Sequence, residues 1–212
     1  MKKRIAVLLS LMMVLTFALA ACGSGSEDAS ENAAEEAGEE VVDYIDGAAY
    51  GYAGDDPVEA ACYQYMVEDI APGYEKADVS IPTVQIFHVD YTPEDEVLVY
   101  GDFWVDNYNI NGDTLECISG GNHPGIMHVS KTDYTVTAFD EVADGEGFTE
   151  SAKELFGEHY DDFMAVYSDD ESRAENRKIT VSDYVNLNGL DVTKMQDPGW
   201  DPVDLYVNNV LD

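Results

Sequence analysis

The residues of this chain with most capacity for chemistry are two histidines, two cysteines and one glycine-rich hexapeptide. His123 sits in Gly120-Gly121-Asn122-His123-Pro124-Gly125, and His128 follows it after four residues. A zinc site needs at least three protein ligands. His88 and His159 are the only other histidines, and nothing in their spacing brings either one to the pair, so no metal is expected. The hexapeptide has turn composition, because glycine opens conformations closed to other residues and proline fixes its own φ. A hairpin needs only a two-residue turn, which Asn111-Gly112 already supplies elsewhere. A longer connection presenting Asn122 and His123, with His128 on the strand behind it, reads as a possible loop site. The plainer reading, a wide turn with a β-bulge at the glycines, is favoured over it.

Cys62 and Cys117 are the thiols outside the N-terminal region. A helix packed on a sheet could bring them together as a disulfide. It would close a loop of about 55 residues, worth on the order of 4 kcal/mol. The alternative is two separate buried thiols acting as small hydrophobes. No Cys-x-x-Cys is present, nor Gly-x-Ser-x-Gly, His-Glu-x-x-His or a phosphate-binding Gly-x-x-x-x-Gly-Lys. Asp140, Glu141, Asp144 and Glu146 surround Gly145 without the rhythm of a calcium loop. With 44 acidic residues, any carboxylate pair is uninformative. No catalytic residue and no cofactor are expected.

The elements that must position these residues follow from periodicity. Asp56-Pro57-Val58-Glu59 is a helix start, with an N-cap, proline at the first helical position and an acid at the third. Val58, Ala61, Cys62, Tyr65 and Met66 recur at helical spacing up to Pro72-Gly73. The period then changes to 2. Strands are expected over 84–91, 96–110, 114–119, 126–131 and 134–141, joined by short turns, which makes an antiparallel meander. Tyr100, Asp102, Trp104 and Asp106 share one face of the second strand. That face is either half exposed or packed under later helices. Helical stripes return from Thr149 to Phe156 and through Tyr160, Phe163, Met164 and Tyr167. Residues 168–178 are too polar for core, and 181–187 reads as a last short helix. Two prolines and a glycine make 197–202 irregular, with Trp200 expected to pack it onto the body. The whole is an α+β arrangement: an N-terminal helix on a curved sheet of about five strands, then C-terminal helices.

The ends carry a different message. Met1-Lys2-Lys3-Arg4 is basic, residues 5–19 are apolar apart from Ser10 and Thr16, and Leu19-Ala20-Ala21-Cys22 closes the segment. This is the pattern of a cleavable export signal over 1–21. The apolar run is short for a membrane span, which needs about 20 residues. Residues 23–40 hold only Gly, Ser, Ala, Asn, Glu and Asp, and read with Cys22 as a flexible acidic tether of roughly 25 Å. Residues 41–212 fit one domain. Loss of the signal leaves seven basic residues against 44 acidic ones. Nucleic acid is excluded as a partner, since its binding rests on basic groups.

Leu19-Ala20-Ala21-Cys22 resembles the lipobox of bacterial lipoproteins. The resemblance implies that Cys22 is lipidated and becomes the first residue of the mature chain, held to the extracytoplasmic face of the cell membrane. The element order over roughly 56–141 resembles cystatin-like and nuclear-transport-factor-2-like folds, in which a curved sheet wraps a helix. The lipobox and the Gly-Gly-Asn-His-Pro-Gly segment are also similar to uncharacterised surface lipoproteins of Gram-positive bacteria. The favoured reading is a lipid-anchored extracellular binding or scaffolding domain without catalysis. Two others stay open: a ligand-binding or enzymatic domain with a pocket between sheet and helices, and an accessory subunit of a membrane complex. A pocketed histidine beside a carboxylate separates the first from the favoured reading. An exposed apolar patch of several hundred Å² separates the second.

Overall fold

Helix α1 (Pro57–Tyr65) starts where the capping pattern places it. Asp56 Oδ1 accepts from the backbone N–H of Val58 at 2.8 Å and of Glu59 at 3.4 Å. Val58, Ala61 and Cys62 are its buried face. The helix widens into a π-helical turn, Met66–Ile70, tightens into a 3₁₀ turn, Ala71–Gly73, and stops at Pro72-Gly73. The structure is a computed structural model that describes residues 50–207. The export signal, Cys22 and the tether lie outside the described residues.

Strands β1 (Val79–Asp90), β2 (Glu96–Asn111), β3 (Thr114–Ser130) and β4 (Val136–Glu141) follow, each antiparallel to the one before. Helices α2 (Phe148–Phe156), α3 (Tyr160–Tyr167) and α4 (Asp170–Asn188) come next. Two short strands end the described chain, β5 (Lys194–Gln196) and β6 (Val203–Asp204). The sheet runs β1-β2-β3-β5-β6, with β4 also paired to β3. Because β5 is parallel to β3, the sheet is mixed. Register shifts at Ile86/His88, Asn107/Tyr108 and His128/Val129 add the local bend and twist that curl long strands. The fold is α+β.

Strand alternation sends β2 side chains to both faces of the sheet, where they join three core clusters. Val97, Val99, Phe103 and Val105 pack against α1 through Cys62 and Met66. Leu98 and Tyr100 point the other way, into a cluster with Phe156 and Phe163 of α2 and α3. Tyr108 joins Val181, Tyr184 and Val185 of α4. β1 is an edge of the sheet. It carries Pro82, which has no N–H to offer, and the oxygen of Tyr63 on α1 takes a hydrogen bond from the Val84 backbone.

Three expectations need correction. Residues 120–125 form no loop: the two strands expected at 114–119 and 126–131 are one seventeen-residue strand, β3. The glycines are there because other groups press on the strand. A Cβ at Gly121 would collide with the Tyr74 hydroxyl, and one at Gly125 with the Asp140 carbonyl. The last helix does not start at 181: residues 168–178 hold no fully buried residue, as their polarity implies, yet α4 runs nineteen residues from Asp170. Its inward positions Arg173, Arg177, Val181, Tyr184 and Val185 keep helical spacing, and the two arginines meet buried aspartates. Trp200 packs nothing down, since it is 75% exposed.

Candidate functional site

β3 places the three hexapeptide and strand candidates in different surroundings. Asn122 Nδ2 donates to Asp102 Oδ1. His123 and His128 are an odd number of residues apart on one strand, so their rings leave opposite faces. His123 pairs in register with Phe103, on the α1 side, and His128 with Leu98, on the α2–α3 side. They cannot share a ligand. Each instead binds an acid of β4: His123 Nδ1 lies 2.6 Å from Glu141 Oε1, and His128 Nε2 lies 3.2 Å from Asp140 Oδ2. His128 Nδ1 also meets Glu96 at 3.1 Å. His88 and His159 stack on one another, with ring centroids 3.7 Å apart. Among the described residues no three His, Cys, Asp or Glu side chains are grouped to hold a metal ion.

His123 has a second partner, the Tyr74 hydroxyl, 2.7 Å from Nε2. With a neutral ring, Nδ1–H donates to the Glu141 carboxylate, so Nε2 accepts from Tyr74 O–H. This carboxylate–histidine–tyrosine chain looks like an activated nucleophile, but its electrostatics oppose that role. Burial first, then Glu141, Asp144 and Asp106, push the Tyr74 pKa up. A nucleophile needs the opposite shift. The chain pins Tyr74 over Gly121 instead.

The thiols are free, and the sheet stands between them. Cys62 belongs to the α1 core, whereas Cys117 packs in the α4 core with its Sγ 3.7 Å from Asp106 Oδ1. The two thiols are therefore separate, and the possible bridge between them is not formed. Burial pushes both thiols up to about 12, and nearby carboxylates add to the shift, so neither is a reactive nucleophile.

On the α4 side, Asp102 is fully buried and receives Trp104 Nε1 at 3.0 Å as well as Asn122. Arg173 ion-pairs with it at 3.2 Å, its guanidinium lying between the rings of Trp104 and Tyr167. Arg177 meets Asp106 at 2.8 Å, Tyr108 Oη at 3.0 Å and both oxygens of Asp197 at 2.8 and 2.7 Å. The Tyr100–Trp104 face is thus covered by the later helices and cross-linked to them.

Among the described residues, four buried polar atoms make no hydrogen bond: Asp106 Oδ2 and Arg173 Nε, which are in ion pairs, and Thr83 Oγ1 and Asn107 Oδ1, which are not. Where the chain turns from the 3₁₀ segment into β1, it walls a cleft of about 440 Å³. Tyr50, Ala71, Tyr74, Asp78, Ser80 and Asn107 line it. Asn107 is 2% exposed. Its Nδ2 donates to the Glu75 carbonyl at 2.9 Å and reaches the Ala71 carbonyl at 3.4 Å. Those two acceptors fix the amide's orientation, because a flipped amide would set oxygen against oxygen. The other end, Oδ1, is buried and has no hydrogen-bond partner. Buried polar groups are normally paired, and an orphan costs about 1–3 kcal/mol. None of Tyr74, Asp78 or Asn107 is singled out by the sequence pattern. Asn107 occupies an ordinary strand position, and its significance arises only from the turn folded over it. No family model, curated protein or solved structure matches the chain.

Proposed function

We propose that this chain is an exported, lipid-anchored protein whose domain binds a small ligand without transforming it, in the cleft over Asn107. The anchor rests on the signal pattern and on Cys22 in Leu19-Ala20-Ala21-Cys22. The binding reading is carried by one observation: an unpartnered, buried acceptor at a cleft within the usual size range of ligand sites. Asn107 Oδ1 is closed to solvent in the free protein, so a ligand N–H or O–H reaches it, and removes the penalty, only by displacing the turn over it. The enzymatic alternative draws on the His123–Glu141 pair. That pair is less suited, because His123 does not line the cleft and Tyr74 is shifted away from ionisation.

Two measurements test the reading. Cys22→Ala should move the protein from the membrane fraction to the soluble exported fraction, and a variant that still partitions with membranes would refute the anchor. Screening small polar fragments by NMR should shift the Asn107 side-chain amide together with Val79 and Ser80. A library that leaves those signals unmoved would refute the cleft.

A further inference from the structure

We propose that the open edge of β4 is a docking site for an extended, basic segment of another protein, which adds to the sheet as a further strand. β4 pairs with β3 alone, and no described strand lies beyond it. The Val142 N–H donates to the Pro124 carbonyl at 2.9 Å, so residue 142 turns its backbone toward β3. Hydrogen-bonded pairs alternate along an antiparallel ladder. Asp140 and Ala138 therefore do the same, while Phe139 and Glu141 turn N–H and C=O outward. That leaves a row of four backbone groups without a partner among the described residues. The row ends on one side at Ala143, whose N–H goes to Ser151 Oγ at 2.9 Å, and on the other at Thr137, the extra residue of the register shift. Thr137, Ala138, Asp140 and Glu141 are exposed. β1 guards its edge with Pro82, whereas β4 reads Val-Thr-Ala-Phe-Asp-Glu and holds no proline.

The side chains beside this edge select the occupant. Residues placed opposite Phe139 and Glu141 on an added strand send their side chains to the α1 face, where Phe139 itself packs. A groove of about 150 Å³ opens there, between α1 with its π-helical turn and the start of β4, lined by Tyr65, Glu68, Asp69, Tyr134 and Val136. Tyr65 ties the groove to the edge. Its ring meets Phe139 edge-on at 5.9 Å, and burial first, then Asp69 and Glu141, raise its pKa. The Asp69 carboxylate and Glu141 Oε2 take no hydrogen bond from the described residues. Neither β4 nor the groove contains a lysine or arginine. Basic residues at alternate positions of the added strand meet these carboxylates, and the Tyr65 and Tyr134 rings offer their faces to the charge. A second copy of this chain is the poorer occupant. It brings the same Asp140 and Glu141 to the edge, and 44 acidic residues against 10 basic ones behind them.

The test uses the full chain in detergent and a capped peptide, Thr-Lys-Val-Lys-Val-Lys-Thr, with a counterpart carrying Glu at the three lysine positions. Two further versions of the basic peptide are N-methylated, one at the lysines and one at the valines. Calorimetry reads affinity, and hydrogen exchange of the Phe139 and Glu141 amides reports location. The basic peptide should bind and slow both amides, and the acidic one should not bind. One methylated version should bind at least about ten-fold more weakly than the other, because only alternate residues hydrogen-bond to β4. Glu68→Gln with Asp69→Asn, at exposed positions that should not disturb folding, should weaken the basic peptide about five-fold. Unchanged exchange at Phe139 and Glu141, equal affinity of the two methylated versions, or binding that ignores the double substitution would overturn the proposal. So would an acidic peptide that binds as well as the basic one. A dimer in sedimentation whose Phe139 and Glu141 amides are slowed without any peptide would assign the edge to a second copy instead.

Discussion

The two faces of the sheet solve the same packing problem with opposite materials. Against α1 the contact is hydrocarbon and sulfur: Val97, Val99, Phe103, Val105, Met127 and Val129 meet Cys62 and Met66. Against the start of α4 it is ionic, with Asp102 and Asp106 meeting Arg173 and Arg177. Apolar burial is non-directional and tolerates small shifts. A buried ion pair does not: its two desolvated charges are balanced only while the geometry holds. The α1 face therefore supplies bulk stability, while the arginine face fixes where α4 lies on the sheet. The two arginines are also the only ones in the described residues of a very acidic chain. They are spent on neutralising the sheet's buried aspartates.

The largest effects should fall on single truncations of either face. Phe103→Ala should cost about 3–5 kcal/mol in denaturant unfolding. Arg177→Met should cost a similar amount, about 3–5 kcal/mol, because Asp106 is then left charged and buried. The faces should part in the double variants. Arg177→Met with Asp106→Asn should recover a large share of the loss, whereas a second truncation on the α1 face should add to the first. Additive losses on the arginine face would break the comparison.

Acid titration sharpens it. Burial raises the Asp106 pKa above the usual carboxylate range, with Arg177 pulling it back. A folded-state pKa above the unfolded one means the native state binds the extra proton. The stability this confers is present below about pH 4 and lost as pH rises through the folded value. Asp106→Asn should therefore remove a downward component from the stability–pH curve in that window. Identical curves for the two proteins would show that Asp106 is not desolvated.

Smaller effects belong to the histidines. His123→Gln removes the groups that hold Tyr74 and Glu141 and should cost about 1–2 kcal/mol, since each such bond is worth roughly 0.5–1.5 kcal/mol. His128→Gln breaks more exposed pairs and should cost no more than about 1 kcal/mol. Equal costs would remove the distinction drawn between the two rings. Last, the native protein should react negligibly with iodoacetamide at pH 8 and show two free thiols once unfolded without reductant. A protein with none would restore the Cys62–Cys117 bridge.

The sequence is most legible where local rules act alone. The α1 cap and the alternation in β2 appear where the residues imply them, and a hairpin follows there too, with Gly112-Asp113 rather than Asn111-Gly112 as its two-residue turn. It misleads where a distant group decides. Glycine and proline at 120–125 have turn propensity, and no local rule sees Tyr74 and Asp140 pressing on that strand. The missed first half of α4 has a different cause. The stripe through Arg173, Arg177, Val181 and Tyr184 has correct spacing, but two of its inward residues are charged. The signal that could have found it was the pair of aspartates four apart on β2 with no other arginine nearby to balance them. Asn107 could not be found at all, because an orphan acceptor is defined by what fails to reach it.

The edge strand β1 carries a consequence for a protein that would sit crowded on a membrane. Anchored chains share a thin layer and meet far more often than the same number free in solution. An open strand edge in that layer would be a template for joining copies into ribbons. Pro82 removes one N–H from that edge, and Tyr63 occupies the Val84 backbone next to it. The register shift after Ile86 bends what remains. Along β1, neighbouring copies are thus denied a continuous row of donors and acceptors.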